Sequence, residues 1–308
     1  MNLYVGITDP DWFRFLRGRH ADEMNFWRPR NTNEFGAIDR GELFLFKSRY
    51  PENRIVGGAF LLRHTTMRLE MAWDFFGEAN GVESLDAFRK KISSIRRDQE
   101  RNPEIGCTLL TQPFYLTEED YFRGPSDWAK NIVVGKRYDA RVGEGARMYE
   151  QAKMAMAGKL LPEDSHARLA AETTPRFGAE MTILPRLGQG GFRVEVMESY
   201  GRRCAISGER TLPVLEAAHI RPYSDDGPHL ISNGLYLRSD LHTLFDRHYL
   251  TVTKDLRVEV SPRIRQEFSN GKDYYALHGQ ELKAVPKAAE NRPAPEFLEW
   301  HNNLFLGE

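Results

Sequence analysis

One stretch of the sequence divides the chain into two parts. Between residues 142 and 176 the composition changes to Ala, Met, Glu and Lys, and runs of β-branched residues disappear. This composition favours a helix, which we place at residues 144–159. Because 308 residues suffice for two domains of ordinary size, we predict an N-terminal domain over residues 1–140, a helical connector over residues 141–184 and a second domain over residues 185–308.

The composition is that of an ordinary folded protein. Hydrophobic residues make up 41% and charged residues 28% of the chain, which excludes wholesale disorder and fibrous repeats. No apolar run approaches the roughly 20 residues that cross a bilayer, and the N-terminus has no basic segment followed by an apolar one. We therefore expect a cytoplasmic protein that does not bind membranes. The formal net charge of −1 means that any nucleic-acid binding depends on local basic clusters.

The N-terminal domain has the pattern of a small α+β fold. Apolar runs at residues 3–7, 41–47 and 54–62 predict strands, and turn residues separate the last two, so these form a hairpin. Residues 84–101 carry apolar side chains every three or four positions, which predicts an amphipathic helix. Strands that enclose one or two helices indicate a compact β-barrel with helices.

The polar face of this helix is basic. Arg89, Lys90 and Arg96 lie on it, and they are candidate contacts to a DNA backbone. A solvated helix face explains the same residues equally well.

Aromatic and amide side chains gather in two segments of the N-terminal domain. Asn25, Phe26 and Trp27 lie together in what we interpret as a loop or strand end, and Trp128 lies near Asn131. Aromatic side chains together with an amide can bind a nucleotide that is flipped out of a duplex. The alternative is that these aromatic side chains fill the core of the domain.

The second domain contains a strand, a turn-rich loop, a strand and a helix. The strands are predicted at residues 214–220 and 235–237, and the helix at residues 239–246. Before them, residues 190–200 form one more amphipathic helix. The order strand, strand, helix is a ββα unit.

Histidines concentrate in this ββα unit. Four of the nine lie between His219 and His248. His219 ends the first strand, Asn233 ends the loop, and His242 and Asp246 are one turn apart on the helix. An imidazole and a carboxylate on one helix face can bind a divalent cation and leave positions open for water and a phosphate oxygen. Taken alone, such a pair is more often a solvated helix face.

The unit resembles the HNH nucleases, the ββα-metal family, at Glu216, His219, Asn233, His242 and Asp246. The resemblance implies that His219 is the general base, that Asn233 fixes the loop that orients it, and that His242 and Asp246 hold one catalytic metal. Glu216 matches a position that carries an acidic supporting residue in some members. The metal implied is Mg²⁺ or another divalent cation such as Mn²⁺ or Ni²⁺.

The chain departs from the family pattern at two places. Many members have a second metal ligand directly before the general base, where this chain has Ala218. Many also carry Cys-x-x-Cys pairs around a structural zinc, whereas here Cys204 is followed by Ser207 at the second position. We therefore expect no structural zinc.

Runs at residues 188–193, 204–209 and 216–220 also resemble the HNH branch found among restriction endonucleases. The N-terminal domain resembles the PUA superfamily, including EVE and SRA-like domains, in its size, strand order and loop aromatics. Together these resemblances imply a modification-dependent restriction endonuclease, whose substrate is double-stranded DNA with 5-hydroxymethyl- or 5-methylcytosine. Arg202, Arg203 and Arg221 are candidate DNA-backbone contacts beside the nuclease site.

Two other functions remain open at this point. The N-terminal domain could recognise an unmodified sequence, or the chain could bind nucleic acid with a nuclease unit that Ala218 leaves inactive. One HNH site cuts one strand, so cleavage of both strands requires two chains or two visits. Since symmetric pairing is the common solution, we predict a homodimer.

Overall fold

The chain divides into two units, Met1–Arg186 and Leu187–Glu308. The computed structural model describes residues 1–30, 39–96, 98, 100–129, 131–160 and 187–307. Both units contain helices and strands, so the predicted α+β class is confirmed. Residues 161–184 of the predicted connector lie outside the described residues.

A mixed sheet forms the centre of the N-terminal unit. Within the described residues its strand order is β2-β5-β4-β3-β1-β7, and the short β6 pairs with β4. β1 and β3 are parallel, and the other pairs are antiparallel. The strands are β1 Asn2–Ile7, β2 Glu23–Arg28, β3 Leu43–Lys47, β4 Arg54–Arg68, β5 Glu104–Tyr115, β6 Phe122–Arg123 and β7 Gly135–Asp139.

The sheet differs from the predicted barrel in its closure. A barrel requires the two edge strands to pair with each other. Among the described strands, β2 pairs only with β5 and β7 pairs only with β1, so the strand path is open.

Both faces of this sheet are buried, because side chains on β1 and β3 alternate between two cores. Tyr4 and Phe44 belong to one hydrophobic cluster together with Phe13 and Leu16 of the first helix. Leu3 and the neighbouring side chains on the other face belong to a second cluster. Strands that are apolar on both faces therefore mark the middle of the unit.

Helix boundaries in the N-terminal unit follow local capping rules. The Asp9 side chain accepts hydrogen bonds from the backbone N–H groups of Asp11 and Trp12, which starts the first helix. Ser84 caps the third helix by accepting from the Ala87 backbone N–H at 3.1 Å. The helices are α1 Pro10–Arg19, α2 Leu69–Phe76, α3 Leu85–Arg96 and α4 Gly143–Leu160.

The helix predicted in the connector is α4, and it packs on the N-terminal sheet. Met148, Tyr149 and Ala152 are buried in the second hydrophobic cluster with Leu3 and Tyr138. Burial of this apolar face stabilises α4 against the sheet. The helix therefore belongs to the core of the N-terminal unit, beyond the domain end that we predicted at residue 140.

The C-terminal unit is built around the ββα arrangement that the sequence predicts. β8 and β9 are antiparallel, with His219 paired to Gly234, and α6 follows β9 directly. A second antiparallel pair, β10 and β11, comes after α6. The elements are α5 Gln189–Ser199, β8 Leu215–His219, β9 Gly234–Arg238, α6 Ser239–Asp246, β10 Leu250–Val252, β11 Val258–Val260, α7 Arg263–Phe268, α8 Lys272–Tyr275 and α9 Pro295–Leu306.

A glycine lets α5 approach the start of β9. A Cβ on Gly234 would lie 2.5 Å from Val196 Cγ2 and 3.1 Å from the Phe192 ring. Only a residue without a side chain fits this contact. The close approach brings the ring of Phe192 to the end of β8.

Among the described residues, none of the helices combines the length and the apolar character that crossing a membrane requires.

Candidate active site

His219 stands at the end of β8 between two aromatic partners. Its ring stacks on Phe192, with centroids 3.9 Å apart and planes at 11°. Its Nε2 lies 3.0 Å from Nδ1 of His229. Partial burial, with smaller electrostatic contributions from His229, His242 and Arg193, lowers the pKa of His219 to about 4. The ring is therefore neutral at pH 7 and can accept a proton.

Asn233 ties together the loop that follows His219. Its side chain is fully buried. Its Oδ1 accepts from the Arg221 backbone N–H, and its Nδ2 donates to the carbonyls of Arg221 and Pro228, each at 2.9 Å. Its own carbonyl accepts from Ile220 N–H at 2.9 Å. These four bonds fix the backbone on both sides of the loop, so we call them the Asn233 clamp.

His242 and Asp246 face each other across one turn of α6. Nε2 of His242 lies 3.3 Å from an Asp246 carboxylate oxygen. On the other side of the ring, Nδ1 lies 2.6 Å from the Glu216 carboxylate of β8. Partial burial raises the pKa of Asp246, the charge of Glu216 raises it further, and His242 opposes both.

The donor set of His242 and Asp246 fits a divalent cation. Two neighbouring ligand atoms at about 2.1 Å from one ion lie roughly 3 Å apart, close to the separation seen here. The Glu216 carboxylate on Nδ1 fixes the orientation of the ring, as acidic partners of metal-binding histidines do. Within the described residues, no group of three or more His, Cys, Asp or Glu side chains could hold a metal. Water and phosphate oxygens would therefore supply the other ligands.

One cavity of about 760 Å³ brings these residues together. His219, His242 and Asp246 all line it, whereas Glu216 and Asn233 do not line it but hydrogen-bond to His242 and Ile220, which do. The remaining lining residues are Gln189, Phe192, Arg193, Ala217, Ile220, Pro222, Tyr223, Asp225, His248, Trp300, His301 and Leu304.

Several residues that line this cavity or contact its lining are absent from the sequence predictions. His229 contacts His219, and its signal was its place within the histidine-rich segment. Trp300 and His301 come from α9, about 55 residues after α6, and nothing in the local sequence indicates that this helix returns to the site. Arg193, on α5, is the basic residue that lines the cavity.

The predicted DNA-backbone residues divide into two kinds. Arg89, Arg96 and Arg202 are engaged in ion pairs with acidic neighbours, so their charges are largely neutralised locally. Lys90 is exposed, and Arg203 is partly buried. Arg221 lies close to the cavity, with its guanidinium 5.8 Å from the Trp300 ring.

The structure does not gather the five residues predicted as a base pocket. Asn25, Phe26 and Trp27 lie in β2 rather than in a loop, so their side chains alternate between faces. Asn25 is fully buried and donates to Asn80 Oδ1 at 2.9 Å. Phe26 packs edge-on against Trp12, and Trp27 donates to the Asn80 carbonyl at 2.8 Å.

The other two members of the predicted pocket lie elsewhere in the N-terminal unit. Trp128 is partly buried beneath the Lys47 ammonium group, which lies 4.8 Å from its ring. Asn131 is exposed. The structure therefore does not bring these five residues into one pocket, since three of them lie within β2, where we expected a loop or a strand end.

A different cavity of about 650 Å³ opens in the N-terminal unit. It lies between the start of α1, the turn that joins β3 to β4, and the segment after β5. Aromatic side chains and arginines share its lining. These are Phe13, Tyr50 and Tyr121 with Arg14, Arg49 and Arg54.

The turn at Cys204 is held by contacts within the protein. The Cys204 side chain is fully buried, and the Ser207 backbone N–H lies 3.4 Å from its Sγ. The Gly208 N–H donates to the Cys204 carbonyl at 3.0 Å.

The sequence of this unit matches a known family. Residues 204–253 match the family described as HNH endonuclease. These residues form an HNH endonuclease domain. The protein is therefore a DNA endonuclease, and HNH endonucleases use a divalent metal ion. The matched segment contains β8, the Asn233 clamp and α6, so the HNH domain is the part of the chain that carries the site described above.

Solved structures give weaker likenesses. ASCH from Zymomonas mobilis is 14% identical, with 42% of this chain and 88% of that chain covered and a TM-score of 0.27. A mutant of the same protein covers 51% of this chain and 95% of its own at 9% identity, with a TM-score of 0.32. A structure titled "Modification dependent TagI restriction endonuclease" covers 92% of this chain and 75% of its own at 14% identity, with a TM-score of 0.28. No curated protein sequence matches the chain significantly.

Proposed function

We propose that this protein is a modification-dependent restriction endonuclease that hydrolyses DNA containing 5-hydroxymethyl- or 5-methylcytosine. The observation that supports hydrolysis is one cavity in which a neutral His219 lies near the His242–Asp246 pair. A proton acceptor and a cation-binding pair in one cleft are the two components that hydrolysis of a phosphodiester needs.

In this proposal, each residue of the nuclease site has its own role in the reaction. Water loses a proton to His219, and its oxygen attacks the phosphorus while the bond to the 3′ oxygen breaks. Asn233 holds the loop that carries the partner of His219. His242 and Asp246 would hold the divalent ion, with Glu216 orienting His242. The ion, which we expect to be Mg²⁺, Mn²⁺ or Ni²⁺, would stabilise negative charge on the phosphate and on the departing oxygen.

Recognition of the modified base belongs, in this proposal, to the N-terminal unit. An HNH site contacts mainly the DNA backbone, so discrimination between modified and unmodified DNA requires a separate surface. The 650 Å³ cavity offers aromatic side chains for a flipped base and arginines for the neighbouring phosphates. We propose this cavity in place of the five residues suggested by the sequence.

The proposal is tested by digesting one plasmid prepared with cytosine, 5-methylcytosine or 5-hydroxymethylcytosine. Digestions contain Mg²⁺ or Mn²⁺, or EDTA, and His219→Ala serves as the inactive control. We expect cleavage of a modified plasmid only, lost with EDTA and reduced about 10²- to 10⁴-fold in His219→Ala. Equal cutting of the three plasmids would exclude recognition of a modified base. Full activity of His219→Ala would exclude His219 as the general base.

A matched pair of variants tests the N-terminal cavity. Arg49 lines it, whereas Arg19 does not, and each forms an exposed ion pair. We expect Arg49→Ala to require more modified plasmid for half-maximal cutting, while Arg19→Ala behaves as the parent protein. Identical behaviour of the two variants would move the reader site elsewhere.

A further inference from the structure

Two histidine rings meet nitrogen to nitrogen at the active site. Nε2 of His219 and Nδ1 of His229 are 3.0 Å apart, a normal hydrogen-bond distance. Each ring also stacks on an aromatic side chain. His219 lies on Phe192, and His229 lies on Tyr223 with centroids 5.0 Å apart and planes at 6°. Stacking holds both rings in the orientation that makes the bond.

Only one direction of this hydrogen bond leaves His219 able to act as a base. A bond between two neutral imidazoles contains one hydrogen. If His229 donates it, Nδ1 of His219 carries the other proton of that ring and has no lone pair for water. If His219 donates it from Nε2, its Nδ1 keeps a free lone pair. Productive geometry therefore requires His229 to accept at Nδ1.

We propose that His229 is a positioning residue that selects the Nε2–H tautomer of His219 and so exposes Nδ1 as the base. This inference rests on the proposed role of His219 as general base. When Nδ1 takes the proton from water, the new imidazolium still donates from Nε2 to His229. The bond is then charge-assisted and stronger, and no proton needs to pass to His229.

The Asn233 clamp extends to this pair. His229 follows Pro228 directly, and the Pro228 carbonyl accepts from Asn233 Nδ2 at 2.9 Å. Asn233 thus fixes the backbone beside His229, which in turn holds His219. This chain of contacts gives Asn233 a route to the base that does not require it to touch DNA.

The test compares three substitutions in the full-length protein. His229→Asn places an amide oxygen near the former Nδ1, whereas His229→Ala removes the acceptor and His229→Gln moves it beyond reach. We expect His229→Ala and His229→Gln to lower kcat roughly 10- to 100-fold, with the half-saturating DNA concentration unchanged. We expect His229→Asn to recover kcat to within about threefold of the parent, by the same acceptor argument. His20→Ala, at the exposed end of α1, is the control.

Nitrogen-15 NMR of histidine-labelled protein gives a readout that a purely structural role would not move. In the parent protein and in His229→Asn, we expect His219 to be protonated at Nε2 alone. In His229→Ala, we expect both tautomers. Near-UV circular dichroism checks folding, and His229→Gln replaces His229→Ala if the latter does not fold.

The outcomes separate this inference from the proposed function. Full activity in His219→Ala would remove the general base itself. Loss of activity in His219→Ala with parental kcat in His229→Ala would overturn only the role of His229. An inactive His229→Asn with the Nε2–H tautomer retained would also overturn it, because acceptance alone would then be insufficient.

Discussion

In the proposed reaction, the ring of His219 starts in its neutral form, with a single N–H. Its pKa lies at about 4 mainly because the ring is partly buried, with smaller electrostatic contributions from His229, His242 and Arg193. The neutral form predominates above this value, and acid converts it to an inactive imidazolium as the pH falls through about 4. At pH 6 only about one ring in a hundred is protonated.

The rate of DNA cleavage should therefore not depend on His219 between pH 6 and pH 8. We expect single-turnover cleavage at saturating metal to lose its His219-dependent part only as the pH approaches 4. The measurement is the pH profile of the parent protein, with the residual rate of His219→Ala as the baseline. A decline centred between pH 6 and pH 7 that is absent from that baseline would contradict the assignment.

Asp246 should control the affinity for metal. Asp246→Asn keeps the size of the side chain but removes the charge that attracts a cation, so we expect about tenfold or more metal for half-maximal cleavage. Asp240→Asn is the matched control, because Asp240 lies on the same helix but pairs with Arg238. Titration of cleavage with Mg²⁺ and Mn²⁺ provides the measurement. Equal metal requirements in the two variants would exclude Asp246 as a ligand.

Among the elements, α9 supports the nuclease site from outside the matched family segment. Its His301 is 2% exposed and stacks on Phe245 at 3.7 Å. Nε2 of His301 donates to the Phe245 carbonyl at 3.0 Å, and Nδ1 lies 2.7 Å from Thr251 Oγ1. The helix thereby anchors the end of α6 directly before Asp246.

This anchor should make stability depend on pH. Burial lowers the pKa of His301 from 6.5 to about 4, so the folded state favours the neutral ring. The neutral His301 ring contributes fully to the free energy of unfolding above pH 6.5. This contribution, about 3 kcal/mol in total, is lost as the pH falls toward 4. When unfolding is measured by calorimetry between pH 7.5 and pH 4.5, the free energy of unfolding should fall less in His301→Gln than in the parent protein. His20→Gln, a substitution at an exposed histidine after α1, is the control.

A second consequence of α9 concerns DNA binding. Trp300 lines the cavity beside Arg221 and offers a flat surface to a nucleotide. We expect Trp300→Ala to raise the half-saturating DNA concentration about tenfold, consistent with the loss of one stacking contact, and to change kcat little. Leu306→Ala is the control, since Leu306 is exposed on the same helix and does not line the cavity. Equal DNA affinities would place the nucleotide elsewhere.

Local pattern determined how much could be predicted from the sequence. The ββα unit was accessible because its strands, loop and helix are consecutive and their residues alternate or repeat with a regular period. The role of α9 was not accessible, because its contacts join residues about 50 positions apart. The predicted base pocket does not match the structure for another reason. The segment containing Asn25 and Trp27 is a strand whose pairing with β5 depends on residues 106–111, and no local signal reports such a partner.

For the whole molecule, two units imply two separable tasks. If the N-terminal unit recognises the modified base and the HNH domain cleaves the DNA, a substitution in the recognition surface should remove the preference for modified DNA before it removes cleavage itself. A single HNH site also breaks one strand at a time.

We predict that two copies act together as a homodimer. Light scattering with and without modified DNA should give twice the mass of one chain in at least one of these states. Gel analysis of supercoiled plasmid should then show linear product without a long-lived nicked intermediate. A monomeric mass in both states, with accumulation of nicked circles, would contradict pairing.

The Asn233 clamp closes its loop at the base and leaves the tip at Ser224 exposed to solvent. Both cysteines of the chain, Cys107 and Cys204, are buried. A thiol introduced by Ser224→Cys would thus be the accessible one for maleimide chemistry. A fluorophore attached there would sit at the rim of the cleft and report, in real time, when a duplex arrives and departs.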